Sequence, residues 1–520
     1  MLMLSLQAVQ NVTEDDDLSY YQVAGIHGYP YVPWQEDPGF VPANPNRGYC
    51  THSSAIFTTW HRPYLVLLEQ LLCDKARSIA EEFQGSDAGR WQAAAEEVRI
   101  PYWDWSSTTT QSRIPAVVKQ ASISVTAPSG QATIANPLFS YKFQSPQLAE
   151  SGFGTQTVRG SSDDELNSSY ESRKQATLNL FTDSAYNQFS NDLESIHNTV
   201  HVQVGGDMVF VPRSAFDPIF FLHHANVDRL TAMYQATHPG LTLTPRTRSP
   251  TFALGGAGPD DLSTPLYPFR HPDRRQWTSN DVSAAESIFT YGYSYPDVPQ
   301  GLSTQERQSF TTQKVNELYA PQAASPALAR FFTGDGSGIP ETPTARLEWS
   351  ANVQVRSSEA VGSHRIRFML GNAQSDADVA GVAAIFANPN TPLSTPNDLI
   401  NASIPLTPAL VRQNVGLSPD ETVPVLRDQL NWVVERRTED GTGFRPAELK
   451  SLVVSVVSNE ADYPADRSQL PTKGAPVTYY EPTAGKVGGL QSGEAPTVGV
   501  KTANVNGTSP ASTRMKKLRL

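Results

Sequence analysis

The stretch SAFDPIFFLHHANVDRL, residues 214–230, sets two adjacent histidines inside an apolar run. Asp217-Pro218 predicts the start of a helix, because an aspartate can cap it and a proline in the first turn gives up an N–H that has no helical partner anyway. The helix should end near His238-Pro239-Gly240. At helical spacing Phe220, His224, Val227 and Thr231 share one face, so an imidazole points where the core should be. A lone histidine there would be an ordinary buried residue. Its neighbours in the sequence change that reading.

Residues 184–204 predict a second helix, with Phe189, Leu193, Ile196 and Val200 as its apolar stripe. His197 and His201 are four apart in it and therefore share a face, the way one helix offers two ligands to one ion. Residues 59–83 predict a third helix through Leu65, Leu68 and Leu72. His52 and His61 are nine apart, half a rotation at ~3.6 residues per turn, and could not converge from one straight helix. His52 is thus expected on the preceding loop and His61 just inside the first turn, ahead of Pro63. His27, in the glycine-flanked IHGYPY, reads by itself as structural. Seven of the ten histidines fall in these clusters within the first 224 residues, with few carboxylates among them. Imidazole-only ligation points to copper, zinc or iron, and the affinity order favours copper.

These segments also carry a resemblance. GYCTHSSAIFTTWHRPYL (48–65) resembles the first copper motif of fungal tyrosinases, residues 214–230 resemble the second, and RIPYWDW (99–105) is similar to the tryptophan-rich segment between them. The resemblance implies a mainly α catalytic domain with a four-helix-bundle dicopper core, and a C-terminal antiparallel β-sandwich-like domain. It implies one copper on His27, His52 and His61 and a second on His197, His201 and His224, with His223 a structural neighbour. It further implies dioxygen as co-substrate, small phenols as substrates, and melanin-type o-quinone products. Cys50 would form a thioether to His52. Glu194, one turn before His197, would hold a water with Asn198 to take the proton of a monophenol, and Phe220 would lie over the copper pair. Val211 is a candidate for the mouth of the site. Asp228 and Arg62 are candidates for supporting the ligand rings by hydrogen bonds or for a plain salt bridge nearby, and the salt bridge is the favoured reading. The runner-up is a catechol oxidase confined to o-diphenols, and a haemocyanin-like dioxygen carrier is less favoured.

Beyond residue 298 the character changes. Residues 299–345 read as a linker with one short helix and as the region an activating protease would cut. YGYSYP (291–296) resembles the tyrosine motif that closes the catalytic domain in the same family. From 346 to 462 alternation takes over: Leu347, Trp349, Ala351, Val353 and Val355 on one face, Glu348, Ser350, Asn352 and Gln354 on the other. In the resembling family this domain covers the active site and plugs it with an apolar residue, for which Phe386 in VAAIFANPN is the candidate. The Cys-x-x-Cys that several relatives carry there is lacking. The Gly, Pro, Ser and Thr-rich tail, 463–520, reads as disordered.

The 520 residues exceed one core, and 39% hydrophobic with 18% charged residues is an ordinary globular composition. A net charge of -12 argues against nucleic acid or an anionic membrane as partner. A homo-oligomer is compatible with the pattern. Only Cys50 and Cys73 are present, the latter expected in the core, and the amino-terminal stretch lacks the features of a signal peptide. A reducing, cytoplasmic setting is the expectation.

Overall fold

Three helices carry the histidine segments: α1 (Phe57–Glu81), α3 (Tyr186–Val204) and α4 (Ile219–Thr237). With α2 (Tyr170–Leu180) they form the predicted bundle. The computed structural model describes residues 1–494, except 37–41, 46, 146–153, 161–162, 257, 322–343, 372–374, 388–398, 440 and 442. Every residue of α4 is buried, which makes it the central helix. Asp217 accepts from Ile219 N at 3.2 Å as a cap should, but it also binds Arg159 at 2.6 Å, so it anchors a loop as well.

Charges buried with this helix are paired rather than stranded, as the cost of burying a lone charge requires. Arg62 on α1 meets Asp228 on α4 at 2.6 Å, and Asp228 accepts from Tyr293 and Tyr295 at 2.8 and 2.7 Å. The expected salt bridge is therefore the clasp that fastens the closing tyrosine motif to the bundle. Cys73 departs from its expected core position: it is half-buried, its thiol donating to the Val98 carbonyl at 3.3 Å.

The segment 299–345 starts as part of the catalytic unit. Helix α5 (Thr304–Tyr319) is opened by a Ser303/Glu306 capping box and packs on α4. Tyr319 accepts from Arg229 and donates to Asp104, each at 3.0 Å. The helix is longer than expected because its polar surface hides a buried edge of Thr311, Val315 and Tyr319. The expected cleavage stretch falls largely on 322–343, outside the described residues.

The C-terminal domain is a two-layer antiparallel sandwich. Its strands are β1 (Thr344–Arg356), β2 (His364–Leu370), β3 (Val379–Ile385), β4 (Leu399–Pro405), β5 (Leu430–Arg437), β6 (Phe444–Pro446) and β7 (Val453–Tyr463). One sheet runs β4-β1-β7 and the other β6-β5-β2-β3. Trp349, Ala351, Val353 and Val355 of β1 enter the core between them with Phe368, Val454 and Val456. The tail departs from expectation: β8 (Thr472–Lys473) and β9 (Val477–Tyr479) return to pair with β7, and Leu490 is buried. Backbone pairing along β7 holds this polar chain, which composition alone could not show. Residues 495–520 lie outside the described part.

The polar face of β1 is not a solvent face. Glu348 is buried beside Arg346, Lys473, Tyr463 and Gln175 of α2. Burial works to raise the Glu348 carboxyl, but the charges of Lys473 and Arg346 with the Tyr463 hydroxyl hold it down to about 2. A second contact lies at the end of α3, where Gly206 N donates to Gly441 O at 2.9 Å. A side chain on Gly205 would sit 1.6 Å from Arg437 Nη2, and its φ of +69° disfavours one in any case.

Candidate metal centre

Six imidazoles meet between the bundle helices and the loops over them. His197 and His201 project from α3 and His224 from α4, with His197 Nε2 3.1 Å and His201 Nε2 3.4 Å from His224 Nε2. Nitrogens bound at ~2.0–2.1 Å to one ion at near-tetrahedral angles would stand ~3.1–3.4 Å apart, so the spacing fits a shared cation. His201 Nδ1 donates to the Met208 carbonyl at 2.8 Å and His197 Nδ1 to Asn198 Oδ1 at 3.0 Å. Those bonds fix the tautomer and leave the Nε2 lone pairs facing inward.

The other triad is built differently. His27 and His52 come from irregular backbone, and His61 is the fifth residue of α1, two residues deeper than expected because the helix starts at Phe57. Their ring centroids stand 5.5, 6.0 and 6.0 Å apart. His27 Nδ1 donates to the Val211 carbonyl at 2.9 Å and His61 Nδ1 to the Phe57 carbonyl at 2.7 Å. Nε2 of His27, His52 and His61 is buried in each case without a hydrogen-bond partner in the chain. Such orphaned acceptors are costly unless something binds them, and a cation is what three of them share. Burial lowers the pKa of all six rings, His52 to about 4, so they are neutral and ready to ligate at pH 7.

Cys50 Sγ, His52 and His27 form a compact group within 4.8 Å. Burial pushes the Cys50 thiol up, which disfavours the thiolate that ligation needs. Its sulfur lies 3.5 Å from His52 Nδ1, the ring atom bonded to Cε1. His223 shares the second cluster but faces another way: Trp105 Nε1 donates to its Nδ1 at 3.1 Å.

Two family models match the chain: the common central domain of tyrosinase over residues 17–237 and the tyrosinase C-terminal domain over 348–456. Polyphenol oxidase 2 of Agaricus bisporus is 30% identical over 72% of this chain and 73% of its own. The chain belongs to the tyrosinase family. A tyrosinase of Neurospora crassa is 28% identical over 94% of the chain and 93% of its own length. A crystal structure holding latent and active mushroom tyrosinase superposes with a TM-score of 0.79 at 25% identity, over 92% of this chain and 93% of that one. Like those tyrosinases, the chain pairs a histidine-lined helical core with a β-rich C-terminal domain.

The remaining expected residues gather at this tyrosinase-type centre. Phe386, just past β3, stacks on His201 at 4.3 Å and 18° and meets His52 and His197 edge-on at 5.6 and 6.0 Å. Phe220 is fully buried against rings of both triads, His224 at 4.1 Å and His27 at 4.9 Å. Glu194 is buried, and its Oε1 accepts from Ser53 N at 2.6 Å, fastening α3 to the loop that follows His52. Ser53 itself holds a left-handed φ of +52°. Glu194 and Asn198 line a cavity of about 30 Å³. Val211 packs in the apolar cluster that includes Phe386. Sequence reasoning missed Arg246, which lines the same small cavity. It sits on a two-residue strand, Arg246–Thr247, paired with Pro259–Asp260, and nothing in its spacing marks it.

Proposed function

We propose that this chain is a dicopper phenol oxidase, using dioxygen to hydroxylate monophenols to o-diphenols and to oxidise these to o-quinones, and held latent by its own C-terminal domain. The observation that carries the reading is the pair of imidazole triads with one aromatic ring, Phe386, wedged against both. His27, His52 and His61 would hold one copper ion, and His197, His201 and His224 the other. Bound there, the copper pair supplies the electron exchange with dioxygen that phenol oxidation needs.

The protein's own part is to admit, orient and deprotonate the phenol. A phenol hydroxyl has a pKa of ~10, so a base must take its proton. The cavity beside Glu194 and Asn198, about 30 Å³, has room for an ordered water. Asn198 Oδ1 is committed to His197, which leaves its amide N–H groups to hold that water while the Glu194 carboxylate receives the proton. Phe220 keeps solvent out from between the ligand rings. A thioether from Cys50 would lock His52 in its present orientation.

Phe386 occupies the face of His201 where a phenol ring would stack, and burying such a ring stabilises the closed form by about 1.5–3 kcal/mol. A protease that cut between α5 and β1 would release it. With only two cysteines in 520 residues, a cytoplasmic setting is the reading the composition supports.

The test is oxygen uptake by the copper-loaded chain with L-tyrosine and with a catechol, before and after limited proteolysis. Uptake with both, only after cutting, is the expected result. Glu194→Gln in the cut enzyme should lower tyrosine turnover about 10²–10⁴-fold while sparing the catechol. Uptake with the catechol alone in the parent enzyme would refute the roles given to Glu194 and Asn198.

A further inference from the structure

A cavity of about 580 Å³ lies between α1, the turn that carries Trp34, and the hairpin of Pro265–Arg270 and Gln276–Thr278. That is the size of a small-molecule site. None of its lining residues belongs to the C-terminal domain, so it stands open whether or not that domain covers the histidines. Trp60 separates it from the first triad. The Trp60 Nε1 donates to the Tyr267 carbonyl at 2.7 Å, and its ring packs on Phe269 at 5.3 Å and on His61 at 4.8 Å.

The walls combine two features. Pro63, Val66 and Leu67 of α1 with Phe269 give apolar surface, to which Trp34 and Tyr267, each only half-buried, add rings. The second feature is charge. No carboxylate lines the cavity among the described residues, in a chain of net charge -12, whereas Arg270, His271 and Arg274 do. His271 stands 3.5 Å from Asp281, and Arg270 Nη1 donates to the Arg274 carbonyl at 3.2 Å. The Arg274 guanidinium has neither a hydrogen bond nor an ion pair among the described residues, so its planar fork of donors is unspent. Its backbone holds a left-handed φ of +69°, and Gln35, also on the wall, one of +56°. Residues with side chains held in that strained region gather at ligand clamps.

We propose that this cavity binds an aromatic anion, a flat system of one or two rings against Trp34 and Tyr267 with a carboxylate or sulfonate group on Arg274. An inorganic anion would leave the apolar wall unfilled, and a neutral aromatic molecule would leave the guanidinium unused.

The test uses the uncut, copper-loaded chain, in which Phe386 closes the phenol site. It is titrated by calorimetry with naphthalene-2-sulfonate, 2-naphthamide and 2-naphthylmethylammonium, none of which carries a hydroxyl to be oxidised. The sulfonate should bind most tightly, one per chain, and with the same affinity after limited proteolysis. Ethanesulfonate, the same anion without the rings, should bind at least about tenfold more weakly. Arg274→Gln should weaken the sulfonate about fivefold, the scale of a solvent-exposed ion pair, and leave the amide unchanged. Arg274→Glu should turn the preference toward the ammonium, which a merely loosened site could not do. Sulfonate binding that appears only after cutting would place the probe in the phenol site and overturn the proposal. Equal affinity for sulfonate and amide, equal affinity for the two sulfonates, or indifference to Arg274→Gln would overturn it as well.

Discussion

The two histidine triads reach the same donor set by different means. The second is nearly a product of helix geometry: His197 and His201 follow from one turn of α3, and His224 faces them from the central helix. The first depends on contacts distant in sequence. His27 is oriented by the Val211 carbonyl, 184 residues away, and the turn after His52 is held by Glu194, 141 residues from Ser53. A helix fixes two ligands through its own backbone hydrogen bonds, whereas a loop needs an external pin for each. The thiol beside His52 lies on the triad that takes only one ligand, His61, from a helix.

The largest effect should come from removing one ligand on each side. His197→Ala and His52→Ala should each bind about one copper per chain and lose catechol oxidation about a thousandfold or more, some 4 kcal/mol of barrier. Metal analysis beside turnover of the proteolysed enzyme reads both quantities. Loss of both ions from His197→Ala would show that the triads are not separate binding units.

Cys50→Ala sharpens the comparison at smaller cost. Supporting contacts of a metal ligand are worth about 10–100-fold in affinity, and that loss should fall on the first triad only. Titration with a competing chelator should then resolve one weakened and one unchanged ion. Intact mass of the parent protein, lower by two hydrogens if the thioether has formed, identifies the bond being removed. Equal weakening of both ions would mean that the sulfur acts on the whole centre and not as a local pin.

The same contrast explains what could be read in advance. The four-apart pair in α3, the face of α4 that carries His224 and the β alternation were legible because each obeys a fixed period. The geometry also separated His52 from His61 correctly, one on the loop and one in the helix. His27 could be placed only by resemblance, since no periodicity links it to Val211. The edges of the C-terminal domain were misjudged for a related reason. Polar residues of β1 look solvent-facing in a one-dimensional pattern, yet Glu348 is sealed against α2 by ionic partners. Strands β8 and β9 are two and three residues long, so their order comes from pairing with β7 and not from composition. Arg246 was invisible because only the fold brings it to the cavity it shares with Asn191 and Glu194 on another element.

His223 offers the smallest and most discriminating test, because it lies in the second cluster and yet is assigned no metal. Its ring stacks on His197 at 4.9 Å, close enough for a ligand by position alone. The Trp105 bond decides against it: a neutral imidazole whose Nδ1 accepts a hydrogen bond from indole must carry its own hydrogen on Nε2, and an N–H cannot ligate. Burial also lowers its pKa to about 3, so the ring stays neutral and adds no charge that would repel a cation. His223→Gln keeps an acceptor within reach of Trp105. It should therefore bind both copper ions, retain catechol oxidation within about tenfold, and lose only ~1–2 kcal/mol of stability from imperfect packing. Copper per chain measured beside a thermal melt separates the alternatives. A variant that melts nearly as the parent does but holds a single ion would make His223 a ligand and displace His224 from the second triad.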